Sequence, residues 1–360
     1  MEKTLDNICA GAYGKLKNFQ KATVDRICEL FKSGQRRVLV ADEVGLGKTI
    51  IARSVTAETA RMRFHEGDDL FKVVYVCSNQ TVSRQNIRKL QLVEQKRVGS
   101  LCEMRLSMQH LRIAEDEAAA LEKKQFIQML ALTPGTSFQL TESAGCMEER
   151  ALTAVMLQRL VEEKFHGEIS EFFRYGVGET GWNNSVEYYR KRVDKVSGSG
   201  YPERLLDKVA KTDIFSDFQR CLTDNALPAG SGQRRMLTEF RKHFAAFSAE
   251  SLAPDLVIMD EFQRFRTLLS GEGDMAELAK RFLQGDAENS PRVLLLSATP
   301  FKLYSTLEEA EASGEDQYRE FKDVVKFLHS GSSERFEDFQ TVWGSYSALL
   351  HAPEKSAGRP

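Results

Sequence analysis

The run ADEVGLGKTI at 41–50 carries the strongest chemical signal in the chain. Gly45 and Gly47 permit a tight turn in which successive backbone N–H groups point at phosphate oxygens. Lys48 can reach the β- and γ-phosphates of a nucleotide, and the Thr49 hydroxyl can bind Mg²⁺. A helix starting here adds the positive end of its dipole. The general pattern is G-x-x-x-x-G-K-[ST]; Asp42 stands where its first glycine would be, and Glu43, Leu46 and Ile50 complete the segment. With the β-branched run RRVLVA before it and a helical stretch after it, the loop reads as a nucleotide phosphate site rather than a chance GKT on a surface turn.

A second constellation ends an apolar run, LVIMDEF. Asp260 and Glu261 are expected at the carboxyl edge of a sheet, where open α/β folds bind ligands. An aspartate there can hold Mg²⁺ through water, and the next carboxylate can orient or deprotonate an attacking water. Alone, DE after a strand reads as a solvated acidic turn; paired with a phosphate loop it gains meaning, with the metal-holding group expected on a neighbouring strand. The third piece is LLLSATP, whose Ser297 and Thr299 place two hydroxyls at a strand end, suited to bonding Asp260, Glu261 or the γ-phosphate region.

The elements that must carry these residues follow from pattern. An amphipathic helix is expected over 18–33, with Asn18 as N-cap, Val24, Ile27, Leu30 and Phe31 as its apolar stripe and Gly34 as its stop. Strands are expected over 36–41, 73–77, 126–132, 256–260 and 293–297, and helices over 48–62 and along the segment bearing Arg84, Arg88 and Lys89. Near-continuous apolar strands of this kind belong to a parallel sheet covered on both faces. About 210 positions separate Lys48 from Asp260, where four βα steps of roughly 30 residues need only ~120. The surplus coincides with amphipathic helical stretches at 151–165, 201–211 and 232–247. The expected fold is therefore α/β: residues 1–147 form the first part of an ATP-binding lobe, 148–250 a mostly helical insertion, and 251–315 the rest of the lobe. Residues 316–360 are read as one C-terminal helix (317–328) and a polar tail.

With 360 residues, 42% hydrophobic and 28% charged, the chain has an ordinary globular composition. The formal net charge of −2 excludes a strongly basic nucleic-acid coat but leaves room for a local basic path. No apolar run approaches the ~20 residues of a membrane span, and the first residues carry no export signal, so cytoplasm is the expectation. The six cysteines lack ligand-pair spacing and read as small buried hydrophobes. The aromatic segments EFFRYG and VEYYRKR read as core packing, and the Arg36–Arg37 and Arg234–Arg235 pairs as solvated.

Together these motifs resemble the first RecA-like lobe of superfamily 2 helicases and translocases, nearest to the Swi/Snf-type branch. LKNFQ resembles that branch's glutamine motif, which implies that Gln20 reads the adenine edge. DEVGLGKT is close to its nucleotide motif, including Asp42. VCSNQTVSRQN resembles motif Ia and LTPGTSF motif Ib, which implies sugar–phosphate contacts for Ser78, Gln80, Thr81, Arg84, Thr133, Gly135 and Thr136. DEFQ stands for the DExx box and SAT for motif III, which implies nucleotide-to-nucleic-acid coupling by Gln263, Ser297 and Thr299. DEFQRF with SATPFKLY is also similar to bacterial helicase-related proteins of defence islands. The resemblance implies ATP and Mg²⁺ as cofactors and nucleic acid, DNA rather than RNA, as partner. It leaves 148–250 unmatched, a surface for a protein partner.

Nothing like motifs IV, V and VI follows Pro300. In this family a second lobe, in cis or in trans, supplies the arginines of the ATP site, and an arginine finger is worth ~10³–10⁵ in rate. Little turnover is therefore expected of this lobe alone. The rival reading is a non-hydrolysing ATP-dependent switch, against which Glu261 argues. A motor subunit of a restriction-type nuclease is a third reading, with any nuclease on a separate chain because no PD…ExK-like cluster is evident.

Overall fold

A computed structural model describes residues 2–43, 45–77, 80–92, 105–122, 126–133, 143–262, 290–297, 324–329 and 333–350. Five strands form one parallel sheet: β1 (Arg37–Ala41), β2 (Phe71–Val76), β3 (Ile127–Leu132), β4 (Leu256–Asp260) and β5 (Arg292–Ser297). Their spatial order is β1-β5-β4-β2-β3. Each strand alternates its side chains between two covered faces. Val73, Tyr75, Ile258, Leu294 and Leu296 face one core, and Val74, Val76, Val257, Met259, Val293 and Leu295 the other. Residues fully withdrawn from water on both sides explain the near-continuous apolar strands.

The first face is covered by α1 (Glu2–Tyr13), α2 (Asn18–Lys32), α3 (Lys48–His65) and α4 (Gln80–Leu90). The cap of α2 is Lys17, one residue earlier than the expected Asn18. Gln20 sets that start: its side-chain oxygen accepts from the Lys17 backbone N–H at 2.9 Å, so the third helical residue reaches back over the first turn. The stop agrees with expectation. Gly34, at φ +91°, donates to the Phe31 carbonyl while Gln35 donates to Leu30, closing the orphan carbonyls of the last turn.

The second face is covered by α5 (Leu106–Leu121), by α11 (Gly230–Leu252) and by a helical turn at 324–328. The pattern reading had no element at α5. Its first six residues, Leu106–Leu111, are all buried, with polar Ser107, Gln109 and His110 among them, so this stretch gives no 3.6-residue alternation of apolar and polar residues. Arg37, read as solvated, is half-buried: it donates to the Phe327 carbonyl at 2.7 Å and lies 4.3 Å from that ring's centre, tying the 324–328 turn to β1. Residues 317–323 of the expected C-terminal helix lie outside the described residues. A helix not expected from the sequence, α12 (Ser333–Leu350), follows.

Between β3 and β4 run α6 (Met147–Gln158), α7 (His166–Arg174), α8 (Glu179–Val196), α9 (Tyr201–Ala210), α10 (Asp213–Thr223) and α11. They enclose a third core around Trp182, Tyr189, Phe173, Phe218 and Phe240. Phe173 and Phe218 meet edge to face at 6.0 Å, as do Phe218 and Phe240 at 5.3 Å, so EFFRYG is core. Of the YY pair, Tyr189 is buried and Tyr188 exposed. The helical core and the core on the second sheet face share α5 and α11: Met108 and Leu111 face the helical core and Leu106 the sheet, while Phe240 and Phe244 face the helical core and Ala249 the sheet.

A buried ionic cluster pins the same junction. Glu149 of α6 receives Arg241 of α11 at 2.9 Å, Arg105 at 3.0 Å and the Ser107 hydroxyl. Arg241 also donates to the Ser143 carbonyl at 2.7 Å. Gly145, at φ +79°, passes so close that a Cβ would collide with Glu149 and Arg241. Burying such charges is tolerable only because each has several partners.

His110 lies next to this cluster in sequence, fully buried against Tyr201 and Phe244. Burial pushes its pKa down to about 3. Below its unfolded value near 6.5 the unfolded chain therefore takes up a proton that the folded chain refuses until about pH 3. Stability should fall as pH drops through that window, by up to about 1.4 kcal/mol per pH unit. Denaturant titrations at pH 7, 6 and 5 check this; His110→Asn should flatten the slope, and an unchanged slope would show that the acid sensitivity lies elsewhere.

Candidate active site

The register of the sheet assembles the site. Ala41 at the end of β1 pairs with Ser297 at the end of β5, and Leu296 of β5 pairs with Asp260 at the end of β4. The loop after β1, the end of β5 and the Asp260–Glu261 pair therefore leave one edge of the sheet at one level. β4 is not the neighbour of β1, as the sequence reading had it; β5 lies between them. At about 4.8 Å per strand, two spacings place the carboxylates roughly 10 Å across from the β1 backbone, a gap that a phosphate chain and a hydrated cation fill.

On the β1 side the chain turns through Gly45 at φ +88° and Gly47 at φ +83° into α3. Both angles are costly for any residue with a Cβ. At Gly47 a Cβ would also stand 2.5 Å from the Gln20 amide nitrogen. The first N–H groups of a helix have no intrahelical acceptor; here they belong to the residues that follow Gly47. Lys48 Nζ donates to the carbonyls of Asp42 (2.8 Å) and Glu43 (2.9 Å), bridging the two ends of the loop. Its partners are neutral, so its charge stays available to an anion. Asp42 Oδ2 is buried without a hydrogen-bond partner. Left-handed glycines and a lysine charge held by two carbonyls fit a loop shaped around a polyphosphate.

Gln20 joins this loop from α2. Its oxygen is taken by the Lys17 amide and its nitrogen donates to the Leu46 carbonyl at 2.9 Å. Around it Phe19, Leu46 and Ile50 are large apolar side chains left exposed. Phe19 was not singled out in the sequence, although it directly precedes the glutamine.

On the β4 side, Asp260 is fixed by two residues that the motif reading missed. The Tyr75 hydroxyl donates to Asp260 Oδ2 at 2.6 Å, and Asn86 Nδ2 donates to the same oxygen at 3.1 Å and to the Tyr75 oxygen at 2.9 Å. Burial and the adjacent Asp260 carboxylate hold the Tyr75 hydroxyl far above its usual pKa, so it remains a donor. The only sequence sign of Tyr75 was a phenol inside an apolar strand; Asn86 closes the segment VCSNQTVSRQN, where nothing sets it apart from its polar neighbours. Glu261 has φ +52°. The left-handed region costs a residue with a Cβ about 1–2 kcal/mol, and such strain persists only where the surroundings over-determine it.

Of the other expected residues, Ser297 is fully buried, on the sheet face of Leu295, whereas the alternation of β4 puts Asp260 on the face of Leu296. Gln80, Thr81 and Arg84 lie on α4, with side chains outside the described set; Arg88 and Lys89 of that helix are exposed. Thr133 is buried immediately after β3. Ser78, Gly135, Thr136, Gln263 and Thr299 lie outside the described residues. No helix among the described residues is long and apolar enough to cross a membrane.

A parallel sheet with a phosphate loop and an acidic pair on one edge defines a RecA-like ATP-binding lobe. The family profile described as type III restriction enzyme, res subunit, matches residues 13–131. That segment, from the end of α1 to β3, is a superfamily 2 helicase-like ATP-binding domain. No curated protein and no solved structure matches the chain.

The strain at Glu261 yields a prediction. Glu261→Gly should be more thermally stable than Glu261→Ala, by up to about 1 kcal/mol at constant fold, while both eliminate any ATP turnover. Calorimetry and a phosphate-release assay on the same samples check both parts; a melting temperature for Glu261→Gly below that of Glu261→Ala would contradict the strained-backbone reading.

Proposed function

We propose that this chain is the ATP-hydrolysing lobe of a nucleic-acid-dependent motor, a helicase or double-stranded DNA translocase. The observation that supports it best is the common level at which β1, β5 and β4 deliver the phosphate loop and the Asp260–Glu261 pair. In this reading Asp42, Glu43, Gly45, Leu46, Gly47, Lys48, Thr49 and Ile50 form the phosphate cradle, with Lys48 exchanging two carbonyls for phosphate oxygens. Thr49 and Asp260 are the residues that hold Mg²⁺, which supplies charge neutralisation on the phosphates when bound. Glu261 orients and deprotonates the attacking water. Gln20 recognises the adenine edge, a role in which its present bonds to Lys17 and Leu46 give way, and Phe19, Leu46 and Ile50 offer apolar surface to the base.

Nucleic acid is proposed beside the carboxyl ends of β2 and β3, using Ser78, Gln80, Thr81, Arg84, Thr133, Gly135 and Thr136. Hydroxyl, amide and N–H donors of this kind position a sugar–phosphate strand without reading bases. Gln263, Ser297 and Thr299 carry the state of the nucleotide towards it. The matched family is that of a restriction-enzyme subunit, which favours DNA over RNA. A second RecA-like lobe, in cis or in trans, is proposed to complete the ATP site, and the helical segment between β3 and β4 to offer a surface to a protein partner. The strain retained at Glu261 favours hydrolysis over a non-hydrolysing switch, which has no use for a water-activating carboxylate.

Lys48→Ala removes charge-assisted bonds worth about 1.5–3 kcal/mol and should weaken binding of a fluorescent ATP analogue by roughly 10–100-fold. Phosphate release by the wild-type chain should be slow with and without duplex DNA. Unchanged affinity in the variant would overturn the nucleotide site; fast, DNA-stimulated release would overturn the need for a second lobe.

A further inference from the structure

Asp260 has more support than a metal-holding carboxylate at a sheet edge requires. Both donors converge on one oxygen, Oδ2, and they also bond each other, so Tyr75, Asn86 and Asp260 form a closed triangle of hydrogen bonds of 2.6, 2.9 and 3.1 Å. Such a triangle fixes the carboxylate's rotation about its own axis, which a single bond does not. Among the described residues Asp260 Oδ1 takes no hydrogen bond, so the arrangement leaves one oxygen committed and one available.

The two donors differ in how they are anchored. Tyr75 is built into β2, the strand paired with β4, where it is opposite Ile258, and its side chain is 1% exposed. It moves only if the sheet moves. Asn86 stands on α4, a helix separate from the strands, whose Ser83 and Leu90 side chains are buried and whose Ile87 is partly buried. The start of α4 is the segment that the proposed function assigns to the nucleic-acid strand. Asn86 is thus the one member of the triangle carried by an element that a bound strand would touch.

We propose that Tyr75 and Asn86 are positioning residues for Asp260, Tyr75 as the fixed support and Asn86 as the adjustable one, so that the placement of α4 sets the affinity of the site for its divalent cation. This rests on the assignment of Asp260 to Mg²⁺. Residues that orient a ligating group commonly change metal affinity by about 10–100-fold when removed. A shift of α4 that lengthens only the Asn86 bonds would leave Asp260 held by Tyr75 alone, free to rotate and a poorer ligand.

The test is the Mg²⁺ dependence of fluorescent ATP-analogue binding to the full chain, measured for wild type, Tyr75→Phe and Asn86→Leu, with Mn²⁺ electron paramagnetic resonance as a second readout. Each variant should need roughly tenfold more Mg²⁺ for half-maximal Mg²⁺-dependent binding, while affinity in EDTA and the melting temperature stay close to wild type. The Mn²⁺ signal should report weaker binding in the same order. The double variant should lose less than the product of the two single losses, because the triangle acts as a unit. Equal Mg²⁺ dependence in all proteins would overturn the positioning role. A loss of affinity in EDTA as large as that in Mg²⁺ would show a purely structural role and overturn it too. A wild type that binds the analogue with no Mg²⁺ dependence would instead overturn the assignment of Asp260 to the metal, and this proposal with it.

Discussion

The constraint on which everything else rests is the parallel register of β1, β5 and β4. Parallel strands end together only if the chain returns each time to the same starting edge, and here it does so across a helical excursion between β3 and β4. Because Ala41 pairs with Ser297 and Asp260 with Leu296, the glycine loop before Lys48 and the acidic pair emerge at one level, two strands apart, from strands distant in sequence. A slip of one residue in β4 would put Asp260 on the other face of the sheet. It would also part the carboxylate from Tyr75 and Asn86. The apolar alternation that fills both cores thereby also fixes the site.

That register is protected by what covers the sheet. α5 and α11 contribute to the sheet core and the helical core at once, so the helical segment is tied into the lobe rather than hung from it. The Glu149–Arg241–Arg105 cluster fixes the angle at which they meet, and Gly145 lets the chain pass beside it. At the opposite edge of the sheet Asp255 binds the Lys72 amide and pairs with Arg63, a second polar anchor where β2 and β4 begin. Burial raises the Asp255 pKa, opposed by the Lys72 N–H and the Arg63 charge.

Much of this was legible in sequence wherever the signal was local. β4 was placed to the residue, and the glycine turn with the helix that starts at Lys48 was legible, because glycine spacing and strand composition act within ten residues. The stop of α2 at Gly34 was readable for the same reason. What failed was long-range or aperiodic. α5 is buried all round over its first six residues, so that stretch shows no helical period. The strand between β1 and β4 could not be inferred from motif order, since the chain places β5 there last. Tyr75 and Asn86 gain their meaning only from a carboxylate more than ~170 residues away, and Arg37 only from the ring of Phe327. Gln20 was legible as a residue type, but its present partners belong to the protein itself.

The most direct measurement is a crystal structure of the chain with Mg²⁺ and a non-hydrolysable ATP analogue. The expected result is one Mg²⁺ at about 2.0–2.1 Å from its oxygen ligands, contacting the Thr49 hydroxyl and reaching the Asp260 carboxylate directly or through one water, with the triphosphate in the loop before Lys48. A triphosphate bound elsewhere, or a cation in that loop to which Asp260 contributes neither an oxygen nor a bridging water, would contradict the assignment.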